Sequence, residues 1–238
     1  MTETYLLDLI SKQTGSIRTL IGKLEAIQKY IGETQKDTTL FFRGQSDIKW
    51  QISPSVFRNE KYIDQENHLV HELIRFCPNE FLHTTSYFEK LVKMQHYELP
   101  TRLLDISTNP LVGLYFATCQ NKSTDGNLIV FPVKNSDILS FDNPLVENIS
   151  KLSFESPDSS NRDSNESGRA ICVLPKLDNP RIIRQQGAFF LFESSKIKNL
   201  KKYEIIIDHK NKNKIQQQLN SFGINSRFLF PEIDKAAL

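Results

Sequence analysis

The chain has 238 residues, 39% of them hydrophobic and 24% charged, and its formal net charge is +2. This length and composition predict one large domain with a substantial core. The small net charge does not by itself support a protein that binds the nucleic-acid backbone. No apolar run approaches the ~20 residues of a membrane span, so we expect no membrane partner.

The cysteine pattern and the start of the chain predict a cytoplasmic protein. Cys77, Cys119 and Cys172 lie far apart, and no Cys-x-x-Cys spacing occurs. An odd number of scattered cysteines is typical of reduced thiols rather than of a disulfide framework. The first residues also lack the basic segment that begins a secretory signal peptide.

Residues 1–36 are predicted to form a helical segment. Apolar residues between Ile17 and Ile31 recur at helical spacing, with Ser16 as the N-cap and Gly32 as the end of the helix. We expect this helix to bury its apolar stripe against the rest of the domain.

Two extended segments are predicted next. Thr38–Arg43 is rich in β-branched and aromatic residues and is predicted to be a strand that ends at Gly44, where the missing side chain permits a close backbone approach. Trp50–Val56 alternates in polarity and is predicted to be an edge strand, because Pro54 cannot donate a ladder hydrogen bond.

Two helices are then predicted, over Ile63–Phe76 and Phe81–Tyr97. The first contains His68, His71 and Glu72, whose spacing brings them close together on a helix. No third metal ligand has a suitable spacing, so we interpret them as ordinary polar helix residues and predict no metal site.

The central part of the chain combines an apolar strand, a polar turn and a helix. Thr101–Ile106 is predicted to be a buried strand, and Asn109 followed by Pro110 predicts the start of a helix. Arg102 and Asp105 are charged residues within the apolar strand. Because buried charges need partners, we expect them to pair with each other beside a polar site.

The rest of the chain is predicted to contain mostly strands. We expect strands at Gly126–Val133, Ala170–Leu174, Ala188–Phe192 and Tyr203–Ile207, helices at Pro144–Leu152 and Lys210–Phe222, and an extended piece at Arg227–Phe230. Glu155–Gly168 has no apolar residue except proline and is predicted to be a mobile loop. This order favours an α+β fold, with N-terminal helices packed on a mixed or antiparallel sheet in a single domain.

Three blocks of sequence resemble the FRG-domain family, which is named for a Phe-Arg-Gly triplet. They are Phe41–Gln45, which contains this triplet, His96–Ala117 and Arg184–Phe189. The resemblance covers most of the chain and implies an FRG domain at 37–238 that includes the loop at 155–168. It implies a fold more directly than a reaction.

The order of the polar strand ends is similar to that of ADP-ribosyltransferases, which bind NAD. By this similarity Arg43 would hold a phosphate or the ribose, and Ser107 and Thr108 would shape the nicotinamide pocket. Gln185 or Gln186 would take the third position. That family commonly has a carboxylate there, which stabilises an oxocarbenium-like transition state, and glutamine has no charge to do so.

We predict one cleft built from these strand ends. Its catalytic residues are expected to be Arg43, Asp105 and Gln186. Its ligand-binding residues are expected to be Gly44, Gln45, His96, Arg102, Ser107, Thr108, Asn109, Arg184, Gln185 and Gly187. The arginines favour an anionic ligand, because a guanidinium binds phosphate through paired donors.

The first functional hypothesis is an NAD-dependent ADP-ribosyltransferase or NAD glycohydrolase, acting as a bacterial toxin or phage-defence effector. The alternative is a non-catalytic module that binds a nucleotide or a nucleic acid. The missing third carboxylate motivates it. The ligand would be bound by four arginines and by the lysine-rich tail, namely Arg43, Arg102, Arg181, Arg184 and the seven lysines between positions 196 and 214, although such a run is usually a solvated surface. A nuclease ranks last, because only Asp105 is placed to hold a metal. The sequence contains neither GxGxxG nor GxxxxGKS/T, so it supports neither a Rossmann site nor a P-loop.

Overall fold

The computed structural model describes residues 1–155, 168–196 and 200–231. Its helices are α1 (Glu3–Ser11), α2 (Ile17–Thr34), α3 (Glu60–Phe76), α4 (Tyr87–His96), α5 (Pro110–Thr118), α6 (Pro144–Lys151), α7 (Pro180–Gln185), α8 (Lys212–Ser221) and α9 (Ser226–Leu229). Its strands are β1 (Thr38–Gln45), β2 (Leu103–Ser107), β3 (Gly126–Lys134), β4 (Ile138–Ser140), β5 (Ala170–Leu174), β6 (Gly187–Phe192) and β7 (Tyr203–Ile207). Within the described ranges, no helix is both long and apolar enough to cross a membrane.

The strands form one sheet in the order β4-β5-β6-β2-β1-β3-β7. The pair β4–β5 is parallel, and the other neighbouring pairs are antiparallel. The predicted α+β fold with a mixed sheet in a single domain is confirmed. Strands β6, β2 and β1, next to which the polar residues were predicted, are neighbours in the middle of the sheet.

The helices cover one face of the sheet in two groups. Phe42 and other residues of β1, β3 and β7 pack against α1, α2, α5 and α8. Leu103, Phe189 and their neighbours pack against α3, α4 and α6. The strand pairing puts these residues on one face, since alternate residues of a strand point to opposite sides. Asp105 lies on the same face between the two groups and is exposed.

The opposite face carries a third cluster, which includes Phe131 and Phe190. The edge strand predicted over Trp50–Val56 is wrong, because this segment forms a loop followed by a 3-10 turn at Ser55–Arg58. Phe57 of the turn packs against the third cluster. The alternating polarity of the segment therefore reflects a loop that lies over the sheet rather than a strand within it.

Several element boundaries also differ from the sequence predictions. Helix α2 continues through Gly32, α4 begins later than expected at Tyr87, and α9 replaces the extended piece expected at Arg227–Phe230. Helices α1 and α7 and strand β4 were not predicted individually. Of the mobile loop predicted at 155–168, residues 156–167 lie outside the described residues.

Arg102 is buried, but its partner is not Asp105. Its Nε and Nη2 donate to the Glu66 carboxylate of α3 at 2.9 and 2.5 Å, and its Nη1 donates to the Glu193 carbonyl at 3.0 Å. Ser153 donates to the same carboxylate at 2.6 Å. The predicted pairing of Arg102 with Asp105 is wrong, because residues three apart in a strand point to opposite faces.

β1 and α5 meet backbone to backbone at Gly44. A Cβ at this position would lie 1.8 Å from the Gly113 carbonyl oxygen and 2.4 Å from the Ala117 nitrogen. Neither atom belongs to a flexible side chain, so a larger residue would have to push the helix away from the strand. The close approach expected at Gly44 is therefore made to α5 of the same chain.

Replacing Gly44 with alanine should lower the free energy of unfolding by about 3 kcal/mol or more, because the added methyl group meets backbone that cannot relax locally. Gly22 is exposed on α2, with open space where a Cβ would lie. Gly22→Ala should instead stabilise the protein by about 0.5–1 kcal/mol, since alanine favours the helix. Denaturant unfolding measures both changes, and equal stability of the two variants would contradict this packing.

Glu66→Ala should lower the free energy of unfolding by about 3–5 kcal/mol, because the buried Arg102 guanidinium loses its carboxylate. Glu72 lies in the same helix and pairs with Arg75 at 2.7 Å, on a more exposed surface. Glu72→Ala should cost only about 0–1 kcal/mol. Denaturant unfolding of the two variants gives the comparison, and equal losses would show that burial of the Arg102–Glu66 pair has no energetic consequence.

Candidate functional site

A cavity of about 200 Å³ lies where β1 and β2 meet α5 and α7. Phe42 and Gly44 of β1 and Asp105 of β2 line it from the sheet, and Phe116 lines it from α5. Most of these strand residues belong to the helix-covered face. The cavity therefore lies on the central strands, beside the gap between the two groups of helices.

Arg43 lines this cavity, and its side chain is half-buried. Its Nη1 donates to the Asp105 carbonyl at 2.7 Å, which holds the guanidinium against β2. Its Nε is buried without a hydrogen-bond partner among the described residues. A buried donor without a partner is energetically costly, so the fold does not fully satisfy this guanidinium.

The charges around Arg43 leave the cavity positive. Burial lowers the pKa of the Arg43 guanidinium, the Asp105 carboxylate opposes this shift, and Arg58 adds to it. An arginine in a protein nevertheless keeps its proton at neutral pH. Among the described lining residues, Arg43 and Arg181 are cationic and only Asp105 is anionic. The cavity therefore favours an anionic ligand.

The hydroxyl and thiol groups that line the cavity are committed to the fold. Ser107 donates to the Gln185 carbonyl at 2.7 Å, and Ser46 donates to the Phe116 carbonyl at 2.6 Å. Burial raises the pKa of the Cys119 thiol, which keeps it protonated and weakly nucleophilic. These groups shape the cavity rather than supply a nucleophile.

Five of the residues predicted from the sequence meet in this cavity. They are Arg43, Gly44, Asp105, Ser107 and Gln185. They come from β1, from β2 and from the junction of α7 with β6, which the strand order makes neighbours. Arg102 and Gln186, which we expected in the same cleft, do not line it.

Four predicted residues near the ends of α7 and β2 make structural contacts outside the cavity lining. Gln186 adopts a left-handed conformation with a φ of 45°, and its carbonyl accepts from the Thr108 nitrogen at 3.0 Å. Asn109 caps α5 by accepting from its first turn at 2.9 Å. Gly187 pairs with Ser107 at the start of β6.

The remaining four predicted residues also lie outside the lining. Arg102 forms the core pair described above, and Gln45 is buried with 2% exposure. His96 forms a hydrogen bond of 3.0 Å with Asn179, the N-cap of α7. Arg184 donates to a carbonyl of α9 at 3.3 Å. His96 and Arg184 thus help to hold α7 in place beside the cavity.

Trp50 and Arg181 are among the cavity-lining residues that the predicted cleft did not include. Trp50, which we assigned to a strand, is 45% exposed and lines the cavity from a loop. Arg181 belongs to α7, and its guanidinium lies 4.9 Å from the centroid of the Phe230 ring. The sequence held a signal for α7, because Asn179 and Pro180 form the same helix start that identified α5.

A possible metal-ligand geometry occurs elsewhere within the described ranges, at Asp125, Asp208 and His209. None of these residues lines the cavity. The backbone nitrogen of His209 donates to Asp125 at 2.9 Å and lowers the pKa of this carboxyl, to which Gln13 also donates at 3.0 Å. The group is a hydrogen-bonded link between segments of the fold.

A known family model covers the part of the chain that forms most of the cavity. The FRG domain model matches residues 38–126, from the first residue of β1 to the first residue of β3. No curated protein matches the chain, and no solved structure matches it. The matched segment includes the Phe-Arg-Gly triplet and the β2–α5 unit, whereas the Arg184–Phe189 block lies beyond its end. Residues 38–126 of this chain therefore form an FRG domain.

Proposed function

We propose that the cavity binds a phosphate-bearing nucleotide of the NAD type. The observation that carries this proposal is the half-buried Arg43, whose Nε lacks an acceptor and which forms no ion pair among the described residues. A guanidinium binds phosphate oxygens through two parallel charge-assisted hydrogen bonds. Arg181 adds a second positive charge to the lining.

The position of Arg43 favours this role. The hydrogen bond from its Nη1 to the Asp105 carbonyl holds the guanidinium against β2, so the side chain loses little freedom when a ligand binds. A guanidinium has several N–H donors, and this bond uses only one of them. The Nη2 group has no hydrogen-bond partner among the described residues and, unlike Nε, is not fully buried, so it is available to a phosphate oxygen.

The proposed reaction is cleavage of the bond between nicotinamide and ribose, as in an NAD glycohydrolase or an ADP-ribosyltransferase. Such a glycosidic bond breaks through an oxocarbenium-like transition state, which a nearby carboxylate stabilises. Asp105 is a carboxylate in the cavity lining, and its exposure leaves it accessible to a ligand. Gln186 does not line the cavity, so the proposed chemistry depends on Asp105.

A non-catalytic nucleotide-binding module is the second candidate. It is favoured by the third position, where Gln185 lines the cavity without a charge and Gln186 lies outside the lining. Nucleic-acid binding through the lysine-rich segment is less favoured, because Lys212 is fully buried and its ammonium donates to the Ser46 carbonyl at 2.5 Å. The setting we propose, a bacterial toxin or phage-defence effector in the cytoplasm, depends on NAD consumption.

Arg43→Ala should weaken binding of NAD and ADP-ribose by roughly tenfold or more, because hydrogen bonds to charged groups contribute about 1.5–3 kcal/mol each. Arg43→Lys keeps the charge but loses the paired donors, and its affinity should lie between wild type and Arg43→Ala. Arg18→Ala provides the matched control, since Arg18 is exposed on α2 outside the cavity lining. Calorimetry at one salt concentration measures the dissociation constants.

Normal binding by Arg43→Ala would contradict the proposal. Equal affinity of the wild-type protein for adenosine and ADP-ribose would contradict it as well, because the diphosphate would then contribute nothing. An equal loss of affinity in Arg18→Ala would mean that general surface charge, rather than the Arg43 guanidinium, attracts the ligand.

Asp105→Asn should reduce the release of nicotinamide from NAD on the order of a hundredfold, because the transition state loses a stabilising charge. The side chain is exposed and forms no ion pair among the described residues, so stability should change by only about 0.5 kcal/mol. Chromatography measures the nicotinamide, and calorimetry checks that ADP-ribose still binds. A wild-type protein that binds NAD without releasing nicotinamide would establish the non-catalytic alternative.

A further inference from the structure

We propose that Trp50 is a stacking platform for the aromatic ring of the ligand, so that the cavity takes one mononucleotide unit. The ring would lie on the Trp50 indole, and the phosphate would lie on Arg43. This inference rests on the proposed function of the cavity and names the part of the ligand that is held there. The inference concerns binding alone, so it applies whether or not the protein cleaves its ligand.

The Trp50 indole is available to a ligand ring. It lines the cavity and is 45% exposed. Within the described part of the chain, it has no aromatic partner, no cation over its face and no side-chain hydrogen bond. Tryptophan offers a large flat surface whose contact with another ring is favourable. Its position in a cavity with a phosphate-binding candidate distinguishes it from the scattered exposed apolar residues of any surface.

Hydrogen bonds fix the loop that carries Trp50. The Trp50 nitrogen donates to the Asp47 carbonyl at 3.1 Å, and the Asp47 side chain accepts from the Lys49 nitrogen at 2.9 Å. The Ile48 nitrogen donates to the Asp125 carbonyl at 2.9 Å, which ties the loop to the residue before β3. A platform that is positioned before binding loses little entropy when the ring arrives.

Lys212 fixes the start of the same loop from α8. Its buried ammonium donates to the carbonyl of Ser46 at 2.5 Å, to that of Asn121 at 2.8 Å and to that of Gln120 at 3.3 Å. Ser46 and Gln120 both line the cavity. One buried charge therefore holds together two segments of the lining, on either side of α5 in the sequence.

The size of the cavity limits what it can enclose. Its volume of about 200 Å³ is smaller than that of pockets that enclose drug-sized ligands, which is about 300–1,000 Å³. A dinucleotide therefore cannot lie inside it as a whole. The lining provides one group for each part of a mononucleotide. The Trp50 indole would contact the aromatic ring, the Asp105 carboxylate would accept hydrogen bonds from ribose hydroxyls, and the Arg43 guanidinium would bind the phosphate.

The test uses the two halves of NAD, which are AMP and nicotinamide mononucleotide. It compares their binding with that of ribose 5-phosphate, which has a phosphate but no aromatic ring. Calorimetry on the wild-type protein should show that at least one mononucleotide binds about 5- to 150-fold more tightly than ribose 5-phosphate, as base–aromatic stacking predicts. Trp50 is the only tryptophan of the chain, so that mononucleotide should change the intrinsic fluorescence and ribose 5-phosphate should not.

Two variants separate stacking from a structural role of Trp50. Trp50→Leu should bind the mononucleotide no more tightly than ribose 5-phosphate, while its affinity for ribose 5-phosphate stays at the wild-type value. Trp50→Phe keeps an aromatic ring and should retain most of the mononucleotide affinity. Because the side chain is half-exposed, both variants should fold, and circular dichroism checks this.

The outcomes distinguish this inference from the function on which it rests. If wild-type protein binds both mononucleotides and ribose 5-phosphate equally, and Arg43→Ala loses all three, the stacking role is overturned while the anion site stands. If Trp50→Leu also loses ribose 5-phosphate, Trp50 only supports the loop, and stacking is again overturned. If none of the three probes binds to the wild-type protein, the proposed function and the stacking role both fail.

Discussion

The backbone contact between Gly44 of β1 and Gly113 of α5 is the constraint on which the cavity depends. No side chain separates the strand from the helix at this point, so the helix lies directly on the centre of the sheet. Strand β3, which pairs with β1 in the sheet, approaches the same helix, since a Cβ at Gly126 would lie 2.2 Å from the Ala117 carbonyl oxygen. With α5 fixed against β1 and β3, Phe116 forms a wall of the cavity while the neighbouring strand β2 remains accessible. Larger residues at these glycines would change the cavity without altering any of its polar groups.

A comparison with the buried cations of the described structure shows why the half-buried Arg43 is informative. Lys23 and Lys212 donate to backbone carbonyls, and Arg102 pairs with a carboxylate. Each of these charges meets its hydrogen-bonding requirement within the chain and thereby links segments of the fold. Arg43 makes a single hydrogen bond to a carbonyl and keeps a buried Nε without a partner. Fold stability alone therefore explains Arg43 less completely than it explains the other three.

Sequence patterns predicted those features that depend on neighbouring residues. Asn109 caps α5 as expected, because its side chain and the following proline specify the helix start locally. The partner of Arg102 is Glu66, 36 positions away, and no local pattern specifies such a contact. Strand periodicity alone was nevertheless sufficient to exclude the pairing of Arg102 with Asp105, because residues three apart in a strand point to opposite faces. Among the site residues, Arg43 and Asp105 were identified by sequence motifs. Trp50 was not, because its position depends on how a loop folds over the sheet.

The cavity also depends on parts of the chain beyond the segment that the FRG domain model matches. The matched segment supplies Arg43 and the β2–α5 unit, but α7 supplies Arg181 and Gln185 to the lining. Lys212 of α8 holds the Ser46 carbonyl, and Gln185 donates to a carbonyl of α9 at 3.0 Å. One of the two cations in the lining therefore lies outside the matched segment. Changes in α7 can alter the charge and shape of the cavity while the Phe-Arg-Gly triplet stays intact. The triplet is part of the FRG domain, but it does not by itself determine which anion the cavity prefers.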